Sequence, residues 1–197
     1  MLPTFEKENL FWINQPADHF IGADGIRITT QPGTDLWQCT YYGFCNDNAP
    51  MLLTKTEDLY FSFSVRTDFN SSHRFDQCGV IVYQDSENWL KTSIEYENER
   101  FQRLGSVVTN NGYSDWATTD IPAAQRHMYY RLSRRESDFC VECAEDGVNF
   151  HQMRIAHLHE GAGEIQVGIY ACSPEQSSFT ARFSEIHFTP CQWQAHQ

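Results

Sequence analysis

The chain has 197 residues, 41% hydrophobic and 14% aromatic, enough to bury one substantial core and too apolar for a disordered segment. With 14 Lys and Arg against 26 Asp and Glu, its formal charge is −12, which repels phosphate backbones and anionic lipid and so argues against nucleic acid or a membrane surface as partner. No apolar stretch approaches the ~20 residues of a membrane helix, and the acidic segment after Met1 has no signal-like apolar core, so a cytoplasmic location is the expectation.

Short strands are predicted at Phe11–Asn14, Gly25–Thr30 and Trp37–Phe44, separated by the turn-formers Gly22-Ala-Asp-Gly25 and Gln31-Pro-Gly-Thr34. In Leu59–Arg66 the odd positions Leu59, Phe61, Phe63 and Val65 make one apolar face, the pattern of a half-buried strand. Cys78–Tyr83 is apolar on both faces, as a strand covered on both sides would be. The polar turn Gln84–Asn88 joins it to the alternating run Trp89–Glu97, and the pair reads as a hairpin. Phe101–Thr109 follows, ending at Asn110-Asn-Gly112, and Ile121–Arg126 suits a short turn of helix. His127–Arg134, Asp138–Ala144, Asn149–Ile155, Glu164–Cys172 and Phe179–Thr189 complete the series, with Asp146-Gly147 as a strong hairpin signal. Roughly a dozen short strands without a long helix point to one all-β domain over residues 1–197, a two-sheet sandwich or barrel.

Seven cysteines would suit a secreted disulfide framework, but the number is odd and no export signal is visible. Cys78, Cys140, Cys143 and Cys172 sit in apolar or alternating runs, where a thiol acts as a small hydrophobe. Cys140-Val-Glu-Cys143 has redox or zinc spacing, yet on a strand residues three apart face opposite ways, so buried structural thiols are expected.

The run from Cys78-Gly-Val-Ile-Val-Tyr83 through Asp85, Asn88-Trp89, Lys91 and Ile94-Glu-Tyr96 resembles the signature of a domain-of-unknown-function family, one that also includes the fungal regulation-of-enolase protein. Ser106-Val-Val-Thr109 with Tyr113-Ser-Asp-Trp116, Glu145-Asp-Gly147 with Met153-Arg-Ile155, and Val167–Pro174 with Phe179 and Phe183 extend the resemblance over nearly the whole chain in order. It implies a concanavalin A-like jelly roll of two antiparallel sheets, the shape of many lectins and glucanases, and no established activity.

If Leu90, Thr92, Ile94 and Tyr96 face between the sheets, then Trp89, Lys91, Ser93, Glu95 and Glu97 face outward together. On the concave side of a jelly roll such a face suits a carbohydrate or small polyol, with Trp stacking on the ring and charged groups taking its hydroxyls. The same parity turns Arg66 and Glu142 outward, along with Tyr60, Tyr129, Arg131 and Tyr170, although strand order decides which of them join Lys91. Asp115 and Trp116 in the following loop could reach the same face. The candidate ligand residues are thus Trp89, Lys91, Glu95, Glu97, Asp115, Trp116, Arg66 and Glu142. The plain alternative is a solvated cross-strand ladder.

Glu95 and Glu97 lie roughly 6.7 Å apart by strand rise, a spacing that permits paired-carboxyl glycoside hydrolysis without indicating it. Jelly-roll glucanases usually show Glu-x-Asp-x-Glu; here Lys91 and Ser93 take the first two acidic places, and a lysine beside Glu95 is expected to hold it ionised. His157 and His159, with His151 and Glu160 nearby, could form half of a metal site, but they fall in a loop where histidines are ordinarily solvated; His187 and His196 add no pattern. No metal or cofactor is expected. Three readings remain: a carbohydrate- or polyol-binding domain, a module that modulates a metabolic enzyme, and an unrecognised carbohydrate-active enzyme.

Overall fold

The computed structural model describes residues 2–194, so His196 lies outside the described residues. Two seven-stranded sheets carry the fold. The first runs in the order β1 (Phe11–Ile13), β6 (Met51–Thr56), β15 (Ile165–Cys172), β8 (Gln77–Asp85), β9 (Asn88–Tyr96), β10 (Phe101–Asn110) and β11 (Tyr113–Pro122). The second runs β14 (His151–His157), β13 (Asp138–Ala144), β12 (His127–Arg135), β7 (Tyr60–Phe69), β16 (Thr180–Pro190), β3 (Gly25–Thr29) and β2 (His19–Gly22). All strand pairs within these sheets are antiparallel. The architecture is the expected jelly-roll sandwich. A short hairpin of β4 (Leu36–Gln38) and β5 (Cys45–Asp47) stands apart from both sheets.

Alternation explains where the core lies. Phe61, Phe63 and Val65 of β7 meet Val80, Val82, Leu90 and Ile94 of the first sheet across the sandwich, all almost fully buried. Each such side chain contributes about 1.5–3 kcal/mol relative to exposure. Thr92 faces the same core, where its hydroxyl donates to the Gly105 carbonyl at 2.7 Å. The β10–β11 hairpin turns at Asn111-Gly112, both at positive φ (52° and 76°), as a two-residue loop that follows strand twist requires. The thiols behave as packing groups: Cys140 and Cys143 are held on opposite sides of β13, and burial pushes both up to about 11.

Two expectations are corrected. Trp37–Phe44 is not one strand: Cys39 and Tyr41 adopt positive φ, and the chain folds back to form the β4–β5 hairpin. Ile121–Arg126 is not helical, because β11 runs on to Pro122 and a single turn follows, closed by the Gln125 N–H to the Pro122 carbonyl at 3.1 Å. Among the described residues the one helical segment is a 3-10 turn at Lys7–Asn9.

The β4–β5 hairpin lies over the outer face of the first sheet and seals a second apolar cluster there, in which Leu36 and Trp37 pack with Ile81, Trp89, Val107 and Tyr170. Polar pins fix it: the Gln38 N–H donates to Ser114 Oγ at 2.9 Å, and the Tyr83 hydroxyl donates to Asp47 at 2.8 Å. One outer face is therefore partly roofed, and its open end is a cleft.

Candidate functional site

The cleft has a volume of about 370 Å³. Its floor is built by register. Gln77, Glu95 and Arg103 form one row across β8, β9 and β10; Gly79, Ser93 and Gly105 form the next; Ile81, Lys91, Val107 and Trp116 the next. The middle row is low because two of its three members lack a side chain. A Cβ on Gly105 would stand 2.7 Å from the Ala117 backbone oxygen, so glycine is what lets β11 approach this closely beside the groove. The walls are aromatic: Trp37, Tyr42 and Phe44 from the β4–β5 hairpin, Trp116 from β11, and Phe75 from the loop before β8. Tyr42 and Phe44 stack at 5.6 Å, Tyr42 meets Trp37 edge-on at 5.5 Å, and Trp37 meets Trp116 edge-on at 6.3 Å. Phe75 sits at φ 69°, a costly conformation for a bulky residue. It is held by its N–H to the Tyr96 carbonyl and by Gln77, whose amide donates to the Phe75 carbonyl at 3.2 Å.

Beneath the walls lies a connected polar network. Lys91 is 3% exposed. Its ammonium donates to the Leu36 carbonyl at 2.8 Å and to Gln77 Oε1 at 3.0 Å, and lies 3.8 Å from Asp35. Tyr170 donates to the same Gln77 oxygen at 2.9 Å, which fixes the amide orientation. Gln77 Nε2 therefore points at Glu95 and donates to its Oε2 at 3.1 Å. Glu95 Oε1 is buried and has no hydrogen-bond partner among the described residues. Glu95 also lines a hollow of about 10 Å³ with Ser93, Arg103 and Ser106, the size of one water.

The electrostatics of Glu95 reverse the expectation drawn from Lys91. Burial pushes its carboxyl up to about 7; Lys91 and Arg103 pull the other way, and Asp35 and Glu97 add to the rise. Desolvation wins, and Asp35, 3.8 Å from the ammonium, offsets part of the pull that Lys91 exerts on Glu95. A carboxyl of this kind can donate as well as accept a hydrogen bond near neutrality.

Of the eight sequence candidates, Lys91, Glu95 and Trp116 line the cleft. Trp89 shares their face but is 0% exposed under the hairpin, with its indole N–H on the Ser86 carbonyl, so it cannot stack on a ligand. It supports the floor: the Lys91 ammonium lies 5.7 Å from its ring. Glu97, just beyond β9, is held by Arg74 at 2.9 Å and Arg103 at 3.6 Å. Asp115 has the opposite parity to Trp116 and pairs with Arg154 of the second sheet at 2.7 Å, away from the cleft. Arg66 and Glu142 belong to the other sheet altogether. Arg66 forks onto Asp68 at 2.8 and 2.9 Å, and Glu142 accepts a bidentate fork from Arg131 at 2.7 and 2.8 Å. Strand order, which parity does not give, separates them from Lys91.

The sequence reading missed Asp35, Trp37, Tyr42, Phe44, Phe75 and Gln77. Two signals for them were present. Tyr41-Tyr-Gly-Phe44 places three aromatics around a glycine, a turn composition costly to leave exposed. Gln77 also lies two residues before Gly79, on the face opposite the apolar one. The His157–His159 pair is a surface arrangement in which His157 bonds Asp138 at 2.7 Å, and among the described residues no three His, Cys, Asp or Glu side chains gather as a metal site.

Comparison with known proteins places this geometry in context. A family model described as "Protein of unknown function (DUF1349)" matches residues 12–191. The chain is 30% identical over 178 residues to Regulation of enolase protein 1 of Saccharomyces cerevisiae, covering 90% of this chain and 88% of that protein. A crystal structure of a functionally unknown protein from Saccharomyces cerevisiae superposes with a TM-score of 0.85 at 30% identity, covering 93% of this chain and 97% of the other. A GH43 protein from Bacillus licheniformis superposes with a TM-score of 0.69 at 15% identity; 95% of this chain matches 40% of that larger one, a likeness of fold alone.

Proposed function

The chain belongs to that family of unknown function, and we propose that it binds a small polyhydroxylated ligand, a carbohydrate or polyol, in the cleft over Glu95. The observation that carries this reading is the pairing of aromatic walls with a rigid polar floor. Trp116, Tyr42, Phe44 and Phe75 offer ring faces or edges to the C–H surface of a sugar, while Glu95 and Asp35 offer oxygens to its hydroxyls. A volume of about 370 Å³ falls at the lower end of the range for small-ligand sites. Strain at Phe75 and the unpartnered oxygen of Glu95 are features that concentrate where a ligand completes a site. Likeness to carbohydrate-active folds is consistent with this reading without carrying it.

A thermal-shift screen of monosaccharides and polyols at millimolar concentration tests the proposal. At least one neutral sugar is expected to raise the melting temperature, and Trp116→Ala to abolish that rise. A screen in which no sugar shifts the wild-type protein contradicts the proposal.

A second reading has its own observation. The rim of the cleft exposes Tyr41 (92%), Tyr42 (49%) and Phe44 (43%), a patch that also suits a protein surface. With the name of the yeast relative, this supports a module that contacts a metabolic enzyme. Sedimentation of the purified chain with purified enolase is expected to give a complex that Tyr41→Ala weakens; two independent species at high micromolar concentration would contradict that reading.

A further inference from the structure

The charges around the cleft are unbalanced in a way that selects among ligands. Three carboxyls line it: Asp35, Glu95 and Glu175. The one cation among the lining residues is Lys91, and its ammonium is committed to the Leu36 carbonyl, Gln77 Oε1 and Asp35. Two of its three hydrogens go to those neutral oxygens, its charge is matched by Asp35 at 3.8 Å, and at 3% exposure it presents little to a ligand. Two arginines lie outside the lining with Glu97 beside each: Arg74 is 2.9 Å from it and lies over Phe75 at 4.5 Å, and Arg103 is 3.6 Å from it and lies over the Trp116 ring at 5.4 Å. A phosphate or carboxylate in this cleft would thus meet three carboxyls and no exposed cation among the lining residues.

A cation meets the reverse. Ring faces carry a negative quadrupole and attract ammonium groups, most strongly where water is displaced. Trp37, Tyr42, Phe44, Phe75 and Trp116 surround the space above Glu95. Glu95 is half-buried, and its Oε1 is buried without a partner among the described residues at the end of the chain of hydrogen bonds that runs from Tyr170 through Gln77. An N⁺–H donor would complete it with a charge-assisted bond.

We propose that the ligand of this cleft is an amine-bearing polyol, an amino sugar or its relative, with its ammonium on Glu95 and its ring against the aromatic walls. This inference rests on the polyol reading above and adds the charge.

A pH signature follows. The groups that face Glu95 are Lys91 and Glu97 near it on the chain, Arg103 from β10, Gln77 from β8 and Asp35 just before β4; of these, Asp35 and Glu97 oppose its ionisation and Lys91 and Arg103 favour it. As pH rises through about 7, Glu95 gains its charge. An alkyl ammonium stays protonated well above pH 8, as lysine does, so its affinity should rise over that interval while that of a neutral sugar stays flat.

Isothermal titration with four probes tests the inference: 6-amino-6-deoxyglucose, glucose, glucose 6-phosphate and cyclohexylamine, each at pH 6 and pH 8. At pH 8 the amino sugar is expected to bind about tenfold more tightly than glucose, with glucose 6-phosphate not binding, and Glu95→Gln is expected to weaken the amino sugar more than glucose, so that the preference is lost. Glucose equal to the amino sugar, tighter binding of glucose 6-phosphate, or an unchanged preference in Glu95→Gln would overturn the charge inference and leave the polyol reading standing. Binding of cyclohexylamine with none of the sugars would overturn the polyol reading and leave the charge inference standing. Binding of none of the four overturns both. Tyr42→Ala, altered at a half-exposed position, is expected to weaken every probe that binds, which locates binding in the cleft independently of Glu95.

Discussion

On the outer face of the second sheet, Arg66 forks onto Asp68 and Arg131 onto Glu142, each charge closed by a neighbour on the same surface. On the outer face of the first sheet, Lys91 and Glu95 occupy equivalent outward positions, yet Lys91 is 3% exposed and Glu95 has one oxygen without a partner among the described residues. Both faces follow the same alternation of apolar and polar residues. They differ because the β4–β5 hairpin, supplied from a distant part of the chain, roofs one of them and converts surface charges into a desolvated network. Alternation decides which way a side chain points; only long-range topology decides whether it meets water.

The largest contrast is expected from removing one charge on each face. Lys91→Met leaves Asp35, Gln77 and the Leu36 carbonyl without their shared donor, and should cost about 3–5 kcal/mol in urea unfolding. Arg66→Met, in a pair whose side chains are 32% and 35% exposed, should cost less than about 1 kcal/mol. Equal losses would mean that the hairpin does not desolvate the first face.

Next comes the pH dependence of stability. Glu95 has a carboxyl raised from its ordinary 4.5 to about 7 in the folded chain. Below about pH 4.5 it is protonated in both states and contributes no pH dependence. Between the two values the unfolded chain has lost the proton and the folded chain keeps it, so stability falls as pH rises. Above about pH 7 both are ionised and the loss is constant. Glu95→Gln should match the wild type at pH 4 and exceed it at pH 8, by on the order of 2–3 kcal/mol. Glu142→Gln on the other face should show no such gain. A flat difference for Glu95→Gln across pH would remove the desolvated-network account.

How much of this was legible in the sequence follows from the same contrast. The strand run Leu59–Arg66, the hairpin of Cys78–Tyr83 with Trp89–Glu97, and the face shared by Lys91 and Glu95 are all local period-two patterns, and the structure has them within a few residues. The resemblance of the Asn88-Trp89 region to a known signature carried the jelly roll. Trp89 was misjudged because its cover, Leu36 and Trp37, comes from some fifty residues earlier and belongs to neither sheet. Arg66 and Glu142 were grouped with Lys91 because parity is blind to strand order. The depressed titration expected for Glu95 failed for a related reason: adjacency to Lys91 was readable, but the burial of the carboxyl and the approach of Asp35 were not.

A smaller effect separates the walls from the fold. Tyr42 lines the cleft from the half-exposed tip of the hairpin, where it pairs with Trp37 and Phe44, so Tyr42→Ala should cost about 1 kcal/mol of stability while weakening ligand binding several-fold. A large loss of stability would show that the tip belongs to the core of the hairpin and is not a ligand wall.

The five tryptophans offer the most direct measurement, because they are distributed over the two faces. Trp37 and Trp116 line the cleft, and Trp193 lies against Arg135 beyond the second sheet. With 6-amino-6-deoxyglucose titrated into the ¹⁵N-labelled protein, the indole N–H signals of Trp37 and Trp116 should move in a saturable way while that of Trp193 stays fixed. Movement of the Trp193 signal alone, or of none of the five at millimolar ligand, would contradict the assignment of the working surface to the cleft over Glu95.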